Sequence, residues 1–155
     1  MTAYTVAVEK LEVILPELEH MYRQHYAEMR SRLLALGVET EPYDPRWDTY
    51  FEYERAGHFL TFVGRLDGKA VGYANIYITS DMHNRELIAS EDTLYVDPEH
   101  RGKSAGRDIV ECVHATLKGL GVKRLNVTTA TDLKVAAWLE KRGYKHTAHN
   151  MTICF

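Results

Sequence analysis

The sequence predicts a mixed α/β layer fold in one domain over residues 1–155, with a central sheet of about six or seven strands and about four helices. Three features predict it. Apolar runs of strand character at 59–66 and 69–79 flank Asp67-Gly68, a strong short hairpin signal. The apolar run at 87–96 feeds a proline-marked turn and then a helix whose Ile109, Val113, Leu117 and Leu120 recur at helical spacing. Strands and helices interleave, with hairpins at the front and α/β crossovers behind.

Taken in order, alternation at 4–8 suits a first strand. From Val13 onward, Ile14, Leu18, Met21, Tyr22, His25 and Met29 mark the apolar face of a first helix, with Pro16 expected in its first turn and Gly37 at its end. Pro42-Tyr43-Asp44-Pro45 reads as a turn and 46–56 as a short second helix. Strand four covers 87–96, and Lys118, Gly119, Gly121 and Lys123 mark the end of the helix after it. A fifth strand is expected at 124–129 and a helix at 133–141, and residues 144–155 are expected to close the sheet. The sequence shows no repeat, linker or low-complexity segment.

A chain of 155 residues, 45% hydrophobic and 26% charged, has the size and composition of a globular domain with one well-buried core. Residues 1–10 lack a basic n-region and an apolar h-region, and no apolar run approaches the ~20 residues that span a bilayer, so a cytoplasmic protein without membrane contact is expected. The two cysteines, Cys112 and Cys154, suit reduced and mostly buried thiols. The net charge of −3 is uneven: residues 1–60 carry eleven acids against six Lys or Arg, and residues 61–155 eleven against thirteen. An acidic first half would favour a cationic acceptor if it walls the site. No basic stripe interleaves with aromatics, which argues against nucleic acid.

The chemistry concentrates in Leu94-Tyr95-Val96-Asp97-Pro98-Glu99-His100-Arg101-Gly102-Lys103-Ser104-Ala105-Gly106-Arg107. A strand ends, a small basic loop follows, and a helix begins. The first turn of a helix has unpaired N–H groups and a positive dipole end, a ready anion site. Small residues let backbone approach the anion, and Arg101, Lys103 and Arg107 add charge. Gly102-Lys103-Ser104 hints at a P-loop, but that motif needs glycine where Asp97 stands, and Asp97 would repel phosphates. The spacing of small residues also misses the dinucleotide fingerprint. A plain solvated helix start capped by Ser104 remains the alternative.

These residues resemble the acetyl-CoA-binding motif of the GNAT superfamily of N-acetyltransferases: Arg or Gln, two residues, Gly, one residue, then Gly or Ala. Arg101 and Gly106 fit its ends, and Ser104 replaces its middle glycine. The Leu-Tyr-Val-Asp-Pro-Glu-His-Arg run is similar to the exit of the family's fourth strand, and DLKVAAWLEKRGY (132–144) to its helix after strand five. The combination of Pro42-Tyr43-Asp44-Pro45, His83-Asn84-Arg85 and Asp92 is similar to GNAT proteins of phages and prophages. The resemblance implies that strands four and five splay apart, so that coenzyme A pairs with backbone at Leu94, Tyr95 and Val96. Its pyrophosphate would then rest on Arg101, Gly102, Lys103, Ser104, Ala105, Gly106 and Arg107. Asp132 stands where the family has an asparagine and joins the cofactor-binding set.

Acetyl transfer needs a neutral amine, and an amine of pKa ~10.4 is only about 0.1% neutral near pH 7, an obstacle of roughly 4 kcal/mol. A carboxylate or histidine can take that proton. Asp92 and Glu91 lie at the part of strand four where the family often places its base; by alternation they point to opposite faces, with Asp92 in phase with Leu94 and Val96. His83, in the preceding loop beside Arg85, is the third candidate. The family's acid, a tyrosine after strand five, corresponds to Leu139; a coenzyme A thiolate leaves readily, with a thiol pKa near 8.5, so an acid is helpful and not essential. Tyr43, Trp47, Tyr50, Phe51 and Tyr53 form an aromatic-rich segment readable as core or as substrate wall. His146 and His149, three apart on the expected last strand, would face opposite ways, against a metal site.

The resemblance implies an acetyl-CoA-dependent N-acetyltransferase acting by direct transfer in a ternary complex on a primary amine, borne by a small molecule or a protein. The rival is a catalytically weak or inactive GNAT-fold module that binds acyl-CoA or a protein partner. Either a monomer or a homodimer through the final strands would be ordinary.

Overall fold

The computed structural model describes residues 3–130 and 134–155. Its elements are β1 (Tyr4–Glu9), α1 (Leu11–Ala35), α2 (Trp47–Arg55), β2 (Phe59–Leu66), β3 (Lys69–Ser80), β4 (Leu87–Val96), a 3-10 turn (Pro98–His100), α3 (Ala105–Gly119), β5 (Arg124–Asn126) and α4 (Val135–Glu140). The strands form one sheet in chain order. β1 to β4 pair antiparallel, and β5 adds parallel to β4. At the β2–β3 turn, Asp67 and Gly68 have φ of 50° and 82°. Two positive φ angles in a row match the twist of antiparallel strands, which is why Asp-Gly encodes this hairpin.

Alternation along the strands divides the core in two. On one face Phe59, Val63, Tyr73 and Tyr95 pack with Leu11, Leu18, Met21 and Tyr22 of α1, and Trp47, Tyr50 and Phe51 of α2 lie over them. On the other, Phe62, Ala74, Ile76 and Ala89 meet Ile109, Val113 and Leu117 of α3. α1 starts at Leu11, so Pro16 lies inside the helix and not in its first turn as the sequence suggested. An interior proline costs ~3 kcal/mol. Four buried side chains on α1, at about 1.5–3 kcal/mol each, outweigh it.

α3 seats in a notch made by absent side chains. Gly64 and Gly72 are partners across β2 and β3. A Cβ on Gly64 would lie 2.9 Å from Ile109 Cδ1, and one on Gly72 would lie 2.8 Å from the Tyr95 carbonyl oxygen. Backbone cannot yield as a side-chain tip can. Gly72→Ala is expected to destabilise the fold by about 2 kcal/mol, read as a lowered urea midpoint with unchanged slope.

The sheet has five strands among the described residues, not six or seven. Residues 144–155, expected to close it, carry no strand, and Met151, Ile153 and Phe155 are exposed. Alternation marks a segment able to pair, but a strand needs a partner edge, and β5 is only three residues long. The fifth strand ends at Asn126 and the last helix at Glu140, each short of its expected end. Cys154 is exposed rather than buried, while Cys112 is half-buried on α3. No described helix is long and apolar enough to cross a membrane.

Candidate active site

The site is built around the far half of β4. β5 pairs only with Ile88, Ala89 and Ser90, so beyond Ser90 the outer edge of β4 has no paired strand among the described residues. Asp97 donates its N–H to the Val71 carbonyl at 2.9 Å. Hydrogen-bonded pairs alternate along an antiparallel ladder. Tyr95, opposite Tyr73, therefore turns its backbone groups into the sheet, while Leu94 and Val96 turn theirs to the open edge. The expectation of an edge contact from Tyr95 is thus corrected: its ring is in the core and its hydroxyl donates to Gln24 Oε1 at 3.1 Å.

Beyond β4, the Asp97 to Ser104 loop returns the chain to α3, with Gly102 at φ 74°, a left-handed conformation that suits glycine. The carbonyl of Ser104 accepts the Asp108 N–H at 2.8 Å, yet its hydroxyl makes no capping hydrogen bond. The N–H groups of Ala105, Gly106 and Arg107 consequently have no acceptor among the described residues, and three donors face outward at the positive end of a fifteen-residue helix. Gly106 lies against β4, where an added Cβ would be 3.7 Å from Val96 Cγ2.

The three expected cations behave differently. Arg101 folds back: its Nε donates to the Val96 carbonyl at 2.8 Å, and its Nη2 donates to Glu28 at 2.8 and 3.1 Å. Arg107 turns along α3 to Asp108 at 3.1 Å. Lys103 alone of the three has no ion-pair partner among the described residues. Asp132 lies outside the described residues.

The carboxylates sit on either side of a β-bulge. Asn75 pairs with Thr93 and Ile76 with Glu91, which leaves Asp92 as an extra residue in β4. The bulge shifts the phase of the strand. Glu91 shares the α3 face with Leu94 and Val96, whereas Asp92 turns to the α2 face, correcting the alternation read from sequence. There Asp92 Oδ2 accepts a hydrogen bond from the Tyr50 hydroxyl at 3.2 Å. Burial raises the Asp92 carboxyl above the usual range, and the Tyr50 bond partly offsets that rise. His83 lies in the β3–β4 turn, beyond the Ser80–Leu87 pair, with its N–H on Asp81 Oδ1 at 2.7 Å. Five strand residues at ~3.3 Å each separate that turn from Asp92. The two do not meet.

Glu91 is pushed up to about 7 by burial, eased by a backbone hydrogen bond from Thr128 and reinforced by the Asp92 charge. An acid whose folded pKa lies above its unfolded value near 4.5 loses stability as pH rises between the two. Glu91→Gln is therefore expected to stabilise the fold at pH 8 by up to about 3 kcal/mol. The gain should vanish below pH ~4.5, which urea unfolding across that window would read.

The sequence model of the acetyltransferase (GNAT) family matches residues 18–144. The chain belongs to the GNAT family. Solved GNAT structures share its fold at low identity. An aminoglycoside acetyltransferase from an uncultured soil metagenomic sample is 17% identical, with a TM-score of 0.75 and 99% of each chain covered. Ribosomal-protein-alanine N-acetyltransferase from Brucella melitensis biovar Abortus 2308 is also 17% identical, with a TM-score of 0.70, 99% of this chain and 98% of that one covered. Glucosamine-6-phosphate N-acetyltransferase from Arabidopsis thaliana is 19% identical, with a TM-score of 0.66 and 99% of each chain covered. A search of curated protein sequences finds no match.

At the GNAT tyrosine position, Leu139 is buried, only 6% exposed, and carries no acid. Two tyrosines lie near the carboxylates: Tyr77, which the sequence did not single out, and Tyr144, which simple register puts too far along to replace the family's acid. Tyr77 stacks at 6.4 Å from Tyr50 on the Asp92 side. Tyr144 holds its hydroxyl against His114 Nε2, and burial, with the Glu91 charge adding to it, raises its phenol. Pairing placed Tyr77 and tertiary folding placed Tyr144; neither has a local signature.

Proposed function

We propose that this GNAT protein transfers an acetyl group from acetyl-CoA to a primary amine by direct transfer in a ternary complex. The observation that carries this reading is the open edge of β4 running into the unpaired N–H groups of α3. The donor set fits the cofactor: the N–H and carbonyl of Leu94 and the N–H of Val96 offer strand-like pairing for an amide-bearing arm. Ala105, Gly106 and Arg107 offer backbone donors to a pyrophosphate, and Lys103 adds charge. Arg101 serves here as a strut that fixes the Val96 carbonyl. When bound, acetyl-CoA supplies an activated thioester.

Asp92 takes the proton from the ammonium of the acceptor, and Tyr50 holds the carboxylate in place. Its raised pKa brings it closer to an amine's, which eases the transfer. His83, remote from Asp92, is assigned no part in this step. Leu139 favours one second reading, a module that binds acyl-CoA without turnover.

Calorimetric titration with acetyl-CoA, and with ATP as control, tests the proposal. Binding of acetyl-CoA but not ATP, followed by acetylation of an amine, is the expected result. Binding without turnover on any amine would leave the second reading, and no binding would end both.

A further inference from the structure

The surface around Asp92 has features that the cofactor does not explain. Asp92 is accessible, yet it sits among phenols: its charge reaches Tyr22, Tyr50, Tyr73 and Tyr77. The Tyr50 hydroxyl supplies a single hydrogen bond. No Lys, Arg or His among the described residues forms an ion pair with Asp92. A partly desolvated carboxylate with one donor and no counter-ion is costly to maintain. Tyr50 and Tyr77 stack at 6.4 Å and both pack on the fully buried Phe59, with ring centroids 5.2 and 5.0 Å from it. Tyr53 stands edge-on to Tyr77 at 5.9 Å and is 45% exposed, so it extends this aromatic surface to the rim.

Resting on the transferase reading above, we infer that this aromatic surface beside Asp92 takes a small primary amine on an apolar, aryl-bearing stem, with no carboxylate or phosphate beside the amine. Asp92 completes its hydrogen bonding with the ammonium, and the tyrosine faces attract the cation. Tyr77 and Tyr53 cover the stem, and Phe59, fully buried behind them, backs Tyr50 and Tyr77. An acid group beside the amine would meet Asp92 with no cation in reach to balance it.

A matched set separates these terms: 2-phenylethylamine, its neutral analogue 2-phenylethanol, and phenylalanine, which adds a carboxylate beside the amine. Binding is measured by calorimetry without acetyl-CoA. 2-Phenylethylamine is expected to bind at least about tenfold more tightly than either analogue, and Asp92→Asn should erase that preference. Tyr53→Ala, at the rim, should weaken amine binding about threefold with an unchanged melting temperature. Equal binding of the three compounds overturns the assignment, as does a preference for phenylalanine or a preference that survives Asp92→Asn. Acetyl transfer to glucosamine 6-phosphate or a lysine peptide in preference to 2-phenylethylamine also overturns it, while leaving the transferase reading intact. If acetyl-CoA fails to bind and the amine preference holds, the transferase reading alone falls.

Discussion

Gly106→Trp is expected to lower acetyl-CoA affinity by more than a hundredfold, about 3 kcal/mol, with the fold retained. Gly106 is the second residue of α3, beside the open edge of β4, in the turn whose N–H groups lack acceptors. A Cβ there makes only an ordinary contact with Val96. The first carbon of a side chain therefore fits, and an indole beyond it must occupy the space between strand edge and helix start. Gly106→Ala is the control and should keep most of the affinity. Calorimetry reads binding and circular dichroism reads the fold. Undiminished affinity in the tryptophan variant would move the cofactor elsewhere.

Asp92→Asn is expected to leave acetyl-CoA affinity unchanged and to reduce turnover by about 10²–10³-fold, the usual range for loss of a positioned base. The sign of the pH effect follows from the base being active only when ionised. Burial raises the Asp92 pKa, so the wild-type rate should begin to fall, on acidification, at a higher pH than an ordinary carboxylate would give. In the variant that acid limb should disappear, and the rate should climb with pH as the amine deprotonates unaided. A limb centred near 7 that survives the substitution would assign the proton to Glu91, whose carboxyl lies about there.

The parts of this fold that were legible in sequence are those written in local pattern. The four-residue spacing of Ile109, Val113 and Leu117 and the Asp67-Gly68 turn specify α3 and the β2–β3 hairpin without reference to the rest of the chain. The bulge at Asp92 is different. No glycine or proline marks it, because it arises from how β3 and β4 register, and it inverted the face assigned to Asp92. Composition likewise put three cations in and just after the loop that precedes α3 but could not aim them: Arg101 turns to Glu28, 73 residues away in sequence. The strand pattern of residues 144–155 shows the converse failure, a local signal without a partner among the described residues.

The paired glycines under α3 also tie core packing to ligand geometry. Ile109 lies one turn beyond Ala105, so the depth to which it seats sets the height of the helix start above the β4 edge. The sheet thus acts as a gauge block for the helix start to which the pyrophosphate is proposed to bind. A methyl group at position 72, pressed against Ile109 and Val96 from behind, would misalign the strand edge and the helix start with respect to each other. Such a change would appear in the Michaelis constant for the cofactor at temperatures well below unfolding.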